Sequence, residues 1–143
     1  MIIDYAHSPG AIDSLFKSIY KIKDSSQKII TVVGCGGNRD VGKRPMMGKI
    51  SYVNSDISIF TADNPRDEDI MCIINEMSLG INFQKEKTLI KITDRREAIN
   101  EAIKLADRND IVLILGKGHE KYQEIKGKKY PFDDYVELKK FLK

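Results

Sequence analysis

The sequence has no apolar run approaching the ~20 residues that a membrane-spanning helix needs. No basic segment leads into an apolar stretch, as a secretory signal would require. Charge of one sign is not concentrated: the formal net charge is +3 and the lysines are spread along the chain. That argues against a nucleic-acid partner, which selects for clustered cations. Cysteine is scarce, with Cys35 and Cys72 far apart and no CxxC pair, so neither a disulfide framework nor a zinc site is expected. There are two histidines, His7 and His119, and no third ligand at metal-binding spacing, so no metal site is expected. Internal repeats, linkers and low-complexity tracts are also missing.

What is present suits one folded domain over residues 1–143. Hydrophobic residues make up 41% and charged residues 31% of the 143, enough to bury a core and outside the disordered range. Short apolar runs alternate with helical patterns. Ile2-Ile3-Asp4, Ile29 to Gly34, Ile57 to Thr61, Leu89 to Ile92 and Ile111 to Leu115 read as strands, apolar enough for a parallel sheet covered on both faces. Ser8 caps a helix that Pro9 begins, with Ile12, Leu15, Phe16, Ile19 and Tyr20 on one face. Ile70, Ile73, Ile74 and Met77 mark a second helix, begun by Asp67 and Glu68. Asp94 and Glu97 form a capping pattern before Ala98, Ile99, Ala102, Ile103 and Ala106. Asp133 caps a last helix carrying Val136, Leu138, Phe141 and Leu142, after a hairpin turning at Lys126-Gly127. The order predicts an α/β fold, a three-layer, doubly wound, Rossmann-like and mostly parallel sheet with an antiparallel edge hairpin. Cys72, among isoleucines, is expected in the core, and Cys35, in a glycine-rich turn, nearer the surface. The strand-like opening at Ile2 is the pattern expected of a domain taken from a longer protein.

In such a sheet, ligands gather beyond the carboxyl ends of the strands. Four polar segments fall there: Asp4-Tyr5-Ala6-His7, Gly34 to Asp40, Asp63-Asn64-Pro65-Arg66, and Gly116 to Glu120. Gly37 to Lys43 spells GxxxxGK, yet Arg44 stands where a phosphate-binding loop needs Ser or Thr for magnesium, and Pro45 follows at once. A P-loop is therefore excluded. Two readings of this turn remain open. It presents backbone N–H groups with Arg39, Lys43 and Arg44 to an anion, or it is a flexible turn with solvated cations. Asn64-Pro65 is a turn by its backbone, which leaves Arg66 at a strand end, suited to a bidentate grip on a carboxylate. Gly116 and Gly118 let the backbone approach a ligand, and Glu120 can accept from an ammonium group.

Taken together and in order, these four segments, with Lys43-Arg44-Pro45, resemble the C-terminal domain of the Mur ligases, nearest to the members that make the muramoyl tripeptide. The resemblance covers essentially the whole chain. It implies part of an ATP-dependent amide-bond ligase of bacterial peptidoglycan synthesis, in the cytoplasm. There the terminal carboxylate of a UDP-MurNAc-dipeptide is phosphorylated and attacked by the amino group of an incoming amino acid. It further implies that Arg39, Asp63, Asn64, Arg66, Gly116 and Glu120 hold that amino acid, and that Asp4 and His7 lie near the nucleotide, Asp4 toward the ribose. No residue of this domain is implied to be catalytic. ATP and Mg2+ are implied to sit mainly on a central domain, and the UDP group on an N-terminal domain, neither of them in this sequence. The isolated domain is then expected to be inactive.

Arg66 with Asn64 suits the extra carboxylate of meso-diaminopimelate, and Glu120 with the Gly116 carbonyl suits its extra ammonium. With lysine, Arg66 would be left as an unpaired charge. Asn38 replaces an acidic residue of some relatives. Lysine or lanthionine as the amino acid, and a stand-alone, non-catalytic binding module of the same fold, are the competing readings.

Overall fold

The computed structural model of the chain describes residues 1–142; the last residue of the expected domain, Lys143, lies outside the described residues. Five strands form one parallel sheet: β1 (Ile2–Asp4), β2 (Ile29–Cys35), β3 (Ile57–Ala62), β4 (Thr88–Lys91) and β5 (Ile111–Leu115). Their spatial order is β1-β5-β2-β3-β4. Five helices connect or follow them: α1 (Pro9–Ile22), α2 (Lys43–Asn54), α3 (Ile70–Met77), α4 (Arg95–Leu105) and α5 (Asp134–Phe141).

The period-2 alternation of strands explains the layers. Ile29, Val33 and Cys35 of β2, with Phe60, Leu113 and Leu115, face one side and pack on Ile12 and Phe16 of α1, Met47 of α2 and Ile73, Ile74 and Met77 of α3. Ile30 and Val32 of β2, with Ile59, Val112 and Ile114, face the other side and pack on Ala98, Ile99 and Ala102 of α4 and Leu138 of α5. Every residue of β2 is buried, as a central strand covered on both faces requires. Strand β4 is instead a partly exposed edge, so its apolar run is less buried than the sequence predicts.

The caps follow the expected chemistry. Ser8 accepts the Ala11 N–H, and Asp94 accepts those of Arg96 and Glu97. Helix α3 starts later than expected. Asp69, not Asp67 or Glu68, is its cap, taking the Cys72 N–H at 3.0 Å, while Glu68 is drawn away to Arg44.

Three expectations need correcting. The hairpin, β6 (Tyr122–Ile125) and β7 (Lys128–Pro131), turns at Lys126 and Gly127 with both φ positive, as a tight two-residue turn demands. It forms its own two-stranded sheet rather than an edge of the main one, because it is held at Arg66. On α5, Val136 and Leu142 are exposed, and the buried face is Asp134, Glu137 and Leu138. The two cysteines exchange environments: Cys35 is buried and Cys72 exposed. Cys35 ends a central strand, and Cys72 lies on the outer side of α3.

Helix α2 has no counterpart in the expected elements. Its buried side is Arg44, Met47, Gly48, Ser51 and Tyr52, so almost no aliphatic periodicity marks it. Gly48 is there for close packing: a Cβ would lie 1.9 Å from the Met77 carbonyl oxygen of α3.

Candidate functional site

Strands β1, β5, β2 and β3 end in register at one rim, with Asp4 and Val33 both opposite Leu115, and Cys35 opposite Ala62. Chain order reverses between β5 and β2: α1 to α3 cover one face and α4 the other. Such a switch point opens a crevice beyond the strand ends. A cavity of about 450 Å³ lies there. All four rim segments contribute to it. Of the residues singled out in the sequence, His7, Arg39, Asp63, Asn64, Arg66, Gly116 and Glu120 line it. Asp4 does not. Its carboxylate accepts the Ala6 N–H at 2.7 Å, and it borders a shallower neighbouring groove that also includes His7.

The turn after β2 is held by the turn after β3. The Gly37 N–H donates to the Asn64 carbonyl at 2.8 Å, and the Asn38 N–H donates to Glu68 Oε2 at 2.6 Å. Only glycine permits this approach at 37, since a Cβ would stand 1.8 Å from the Pro65 carbonyl oxygen. Arg44 lies beneath the turn, 1% exposed. It donates to Gly36 O at 3.0 Å, to Glu68 Oε1 at 3.1 Å and to Glu76 Oε2 at 2.6 Å. Its hydrogen bonds to the carboxylates, that of Glu68 foremost, raise its pKa against the cost of burial. Arg44 thus borders the cavity together with Arg39 and Lys43, but its hydrogen bonds go to internal partners, so it is neither a solvated cation nor a free anion-binding group. The only side-chain hydrogen bond of Arg39 among the described residues is a 3.3 Å one to the Asn38 carbonyl.

Arg66 is fixed from both sides. Its φ of 51° places a bulky residue in the left-handed region. The hairpin stabilises this conformation: Arg66 N donates to Glu124 O at 2.9 Å and Lys126 N donates to Arg66 O at 2.8 Å. Its Nε donates to Glu124 Oε2 at 3.2 Å, and its Nη1 to Gly37 O at 2.9 Å and Asn64 O at 3.4 Å. Nη2 has no hydrogen-bond partner among the described residues, which leaves one edge of the fork for a ligand.

The opposite wall is built around Lys117, which is fully buried. Its ammonium donates to Asn64 Oδ1 at 2.9 Å, Tyr122 O at 2.7 Å and Glu120 Oε2 at 3.4 Å. It lies 3.3 Å from Asp63 Oδ1 without hydrogen-bond alignment, so that buried oxygen has an ion-pair contact and no hydrogen bond. Asn64 Nδ2 donates to Glu120 Oε2 at 3.3 Å. Gly116, with φ of 114°, turns the chain beside Asp63, and a Cβ there would lie 3.0 Å from Asp63 Oδ2. Beyond this wall, the Tyr5 ring packs at a tilt against His7 and His119, with ring centroids 4.5 Å and 5.7 Å away, which gathers both histidines on one rim. His7 Nδ1 donates to Tyr5 O at 2.8 Å, fixing that tautomer.

The sequence reading missed the supporting role of three charged groups that set this geometry. Lys117 and Arg44 act through partners 53 and 24 residues away, a separation no local pattern reports. Arg95 did leave a signal: it precedes Ala98, Ile99 and Ala102 at the spacing of one helical face.

The family model of the Mur ligase glutamate ligase domain matches residues 1–118. Over 142 residues the chain is 49% identical to the UDP-N-acetylmuramoyl-L-alanyl-D-glutamate–2,6-diaminopimelate ligase of Cytophaga hutchinsonii, covering 99% of this chain and 29% of that protein. It is 51% identical to the ligase of the same name from Aquifex aeolicus, with the same coverage. A solved structure of a ligase of that name superposes with a TM-score of 0.90 at 42% identity, over 98% of this chain and 28% of the other. The chain thus spans about three tenths of the length of the curated relatives it matches. On the family match and the whole-chain likeness, the chain belongs to the Mur ligases, as their glutamate ligase domain.

Proposed function

We propose that this chain is the amino-acid-selecting domain of an ATP-dependent ligase that adds meso-diaminopimelate to UDP-MurNAc-L-Ala-D-Glu in bacterial peptidoglycan synthesis. The domain 1–143 works with a central ATP-binding domain and a UDP-binding domain beyond this chain. The chain's coverage of about three tenths of its relatives supports further domains beyond it. The activated dipeptide is an acyl phosphate made on the central domain, in the cytoplasm. This domain brings the attacking amino group to it.

The observation that carries the reading is the pairing of opposite charges in one cavity. Arg66 offers its unused Nη2, with Arg39 nearby on the rim, to a carboxylate. Glu120 and Gly116 line the same cavity, where a carboxylate and a backbone carbonyl suit an ammonium group, with Asp63 beside them. The far end of diaminopimelate carries both groups, whereas lysine lacks the carboxylate. A cation left without its anion in a half-closed site is disfavoured, so the same contacts that bind one amino acid reject the other. Lanthionine carries the same two end groups and fits equally well. Asp4 and His7 border the neighbouring groove and are assigned to the nucleotide side.

The magnesium ion that accompanies ATP belongs, on this reading, with the central domain that binds the nucleotide. Among the described residues no three His, Cys, Asp or Glu side chains converge as ligands.

The test is a steady-state assay of the full-length enzyme carrying this chain, with diaminopimelate, lanthionine and lysine. Preference for lysine would overturn the reading. Arg66→Ala is expected to raise the KM for diaminopimelate at least about thirtyfold, the equivalent of ~2 kcal/mol for a lost charge-assisted contact.

A further inference from the structure

Lys117 does not line the cavity, yet four groups that do meet at its ammonium: Asn64, Glu120, Asp63 and Tyr122. A lysine with no exposed surface is unusual, because the charged group gives up its hydration. Here three hydrogen bonds and two carboxylates replace the water. The ammonium has three N–H donors and all three are used.

The consequence for Asn64 is specific. Its amide has two chemically different ends of nearly the same shape, and only hydrogen bonding decides which faces where. Two obligate donors, the Lys117 ammonium and the Glu124 N–H at 3.0 Å, converge on one end. That end must be the oxygen; turned round, an NH2 group would oppose an ammonium and a backbone N–H. The other end is then an N–H donor directed at Glu120 and the cavity. Glu120 in turn accepts from both Lys117 and Asn64 on the same oxygen, Oε2, which leaves its second oxygen for the cavity.

We propose that Lys117 is a positioning residue for the amino-acid substrate. From behind the cavity wall it sets Asn64 as a donor and Glu120 as an acceptor, and so fixes which end of a zwitterion each of them can hold. The proposal rests on the amino-acid-binding reading of this cavity.

The experiment uses the full-length ligase carrying this chain, with Lys117→Met and Asn64→Asp variants. KM and kcat are measured for the amino acid that the wild-type enzyme uses best, and KM for ATP alongside. Should that amino acid not be diaminopimelate, the specificity reading above fails while this test still runs. With Lys117→Met, the KM for the amino acid is expected to rise at least tenfold and the KM for ATP to stay within twofold. A purely structural lysine would lower the active fraction, and hence kcat, with both KM values unchanged; that result overturns the proposal. Should Lys117→Met not fold, Asn64→Asp decides. It keeps the oxygen facing Lys117 and Glu124 but exchanges the cavity-facing donor for an acceptor, so the KM is expected to rise at least tenfold. A change below threefold would mean that the cavity-facing atom was an acceptor already, and would overturn the assigned orientation.

Discussion

Arg95 and Asp134 form a bidentate ion pair with no exposed side-chain surface on either partner, at 2.8 Å for Nε to Oδ1 and 2.7 Å for Nη2 to Oδ2. Arg95 also donates to Ala62 O at 3.2 Å and Leu115 O at 3.1 Å, the last carbonyls of β3 and β5. One guanidinium therefore joins α4, α5 and the two strand ends that lead into Asp63 and Gly116. Burial alone would lower its pKa, but the charge and hydrogen bonds of Asp134 push it up.

Removing one member of this pair strands the other as a buried charge. Arg95→Met is expected to cost about 3–5 kcal/mol, read from urea unfolding of the chain. The double variant Arg95→Met with Asp134→Leu should lose less than the sum of the two single losses. Additive losses would mean that the two side chains act independently.

The thiols should separate cleanly. The Cys35 thiol is pushed up to about 12, chiefly by burial and further by Asp63, with Arg44 acting against it. It stays protonated and enclosed. Cys72 is exposed, and its neighbour Asp69 raises its pKa by hydrogen bond and charge. A maleimide reagent at pH 8 should label one thiol in the folded chain, more slowly than a free thiol, and the second only after unfolding. Peptide mapping that found Cys35 labelled first would contradict the assignment.

Acid should loosen the turn that carries Arg39. The hydrogen bond from Arg44, and next the Asn38 N–H, hold the Glu68 carboxyl below its ordinary 4.5. Burial pushes Glu137 upward, but hydrogen bonds from Arg96 and Lys140 outweigh it and hold it below the same value. Each group binds its proton more weakly folded than unfolded. Their stabilisation is whole above about 4.5 and is lost as pH falls through the folded values. Glu68→Gln should therefore flatten the fall in thermal unfolding temperature below pH 4.5. An unchanged slope would remove Glu68 from the account.

Much of the architecture could be read in advance because apolar periodicity reports which way side chains face. The strand runs, the Ser8, Asp94 and Asp133 caps and the positive-φ turn at Lys126-Gly127 are all local chemistry, settled within a few residues. The same logic failed at α2, whose buried side carries Arg44, Gly48 and Ser51 in place of aliphatics. It failed at the cysteines, where isoleucine neighbours at 70, 73 and 74 suggested burial but helical rotation carried Cys72 outward.

The sequence by itself determined the alternating α/β order and the placing of four polar segments after strands, because both follow from local spacing. That was enough to gather His7, Arg39, Asp63, Asn64, Arg66, Gly116 and Glu120 at one rim. Only the tertiary structure decided which charges are tools and which are supports. Arg66 keeps an unused donor edge, while Arg44, Arg95 and Lys117, equally cationic on paper, are spent on internal partners. A charge becomes a support when burial strips its water and a carboxylate from a distant segment replaces it, and that pairing exists only once the chain has folded.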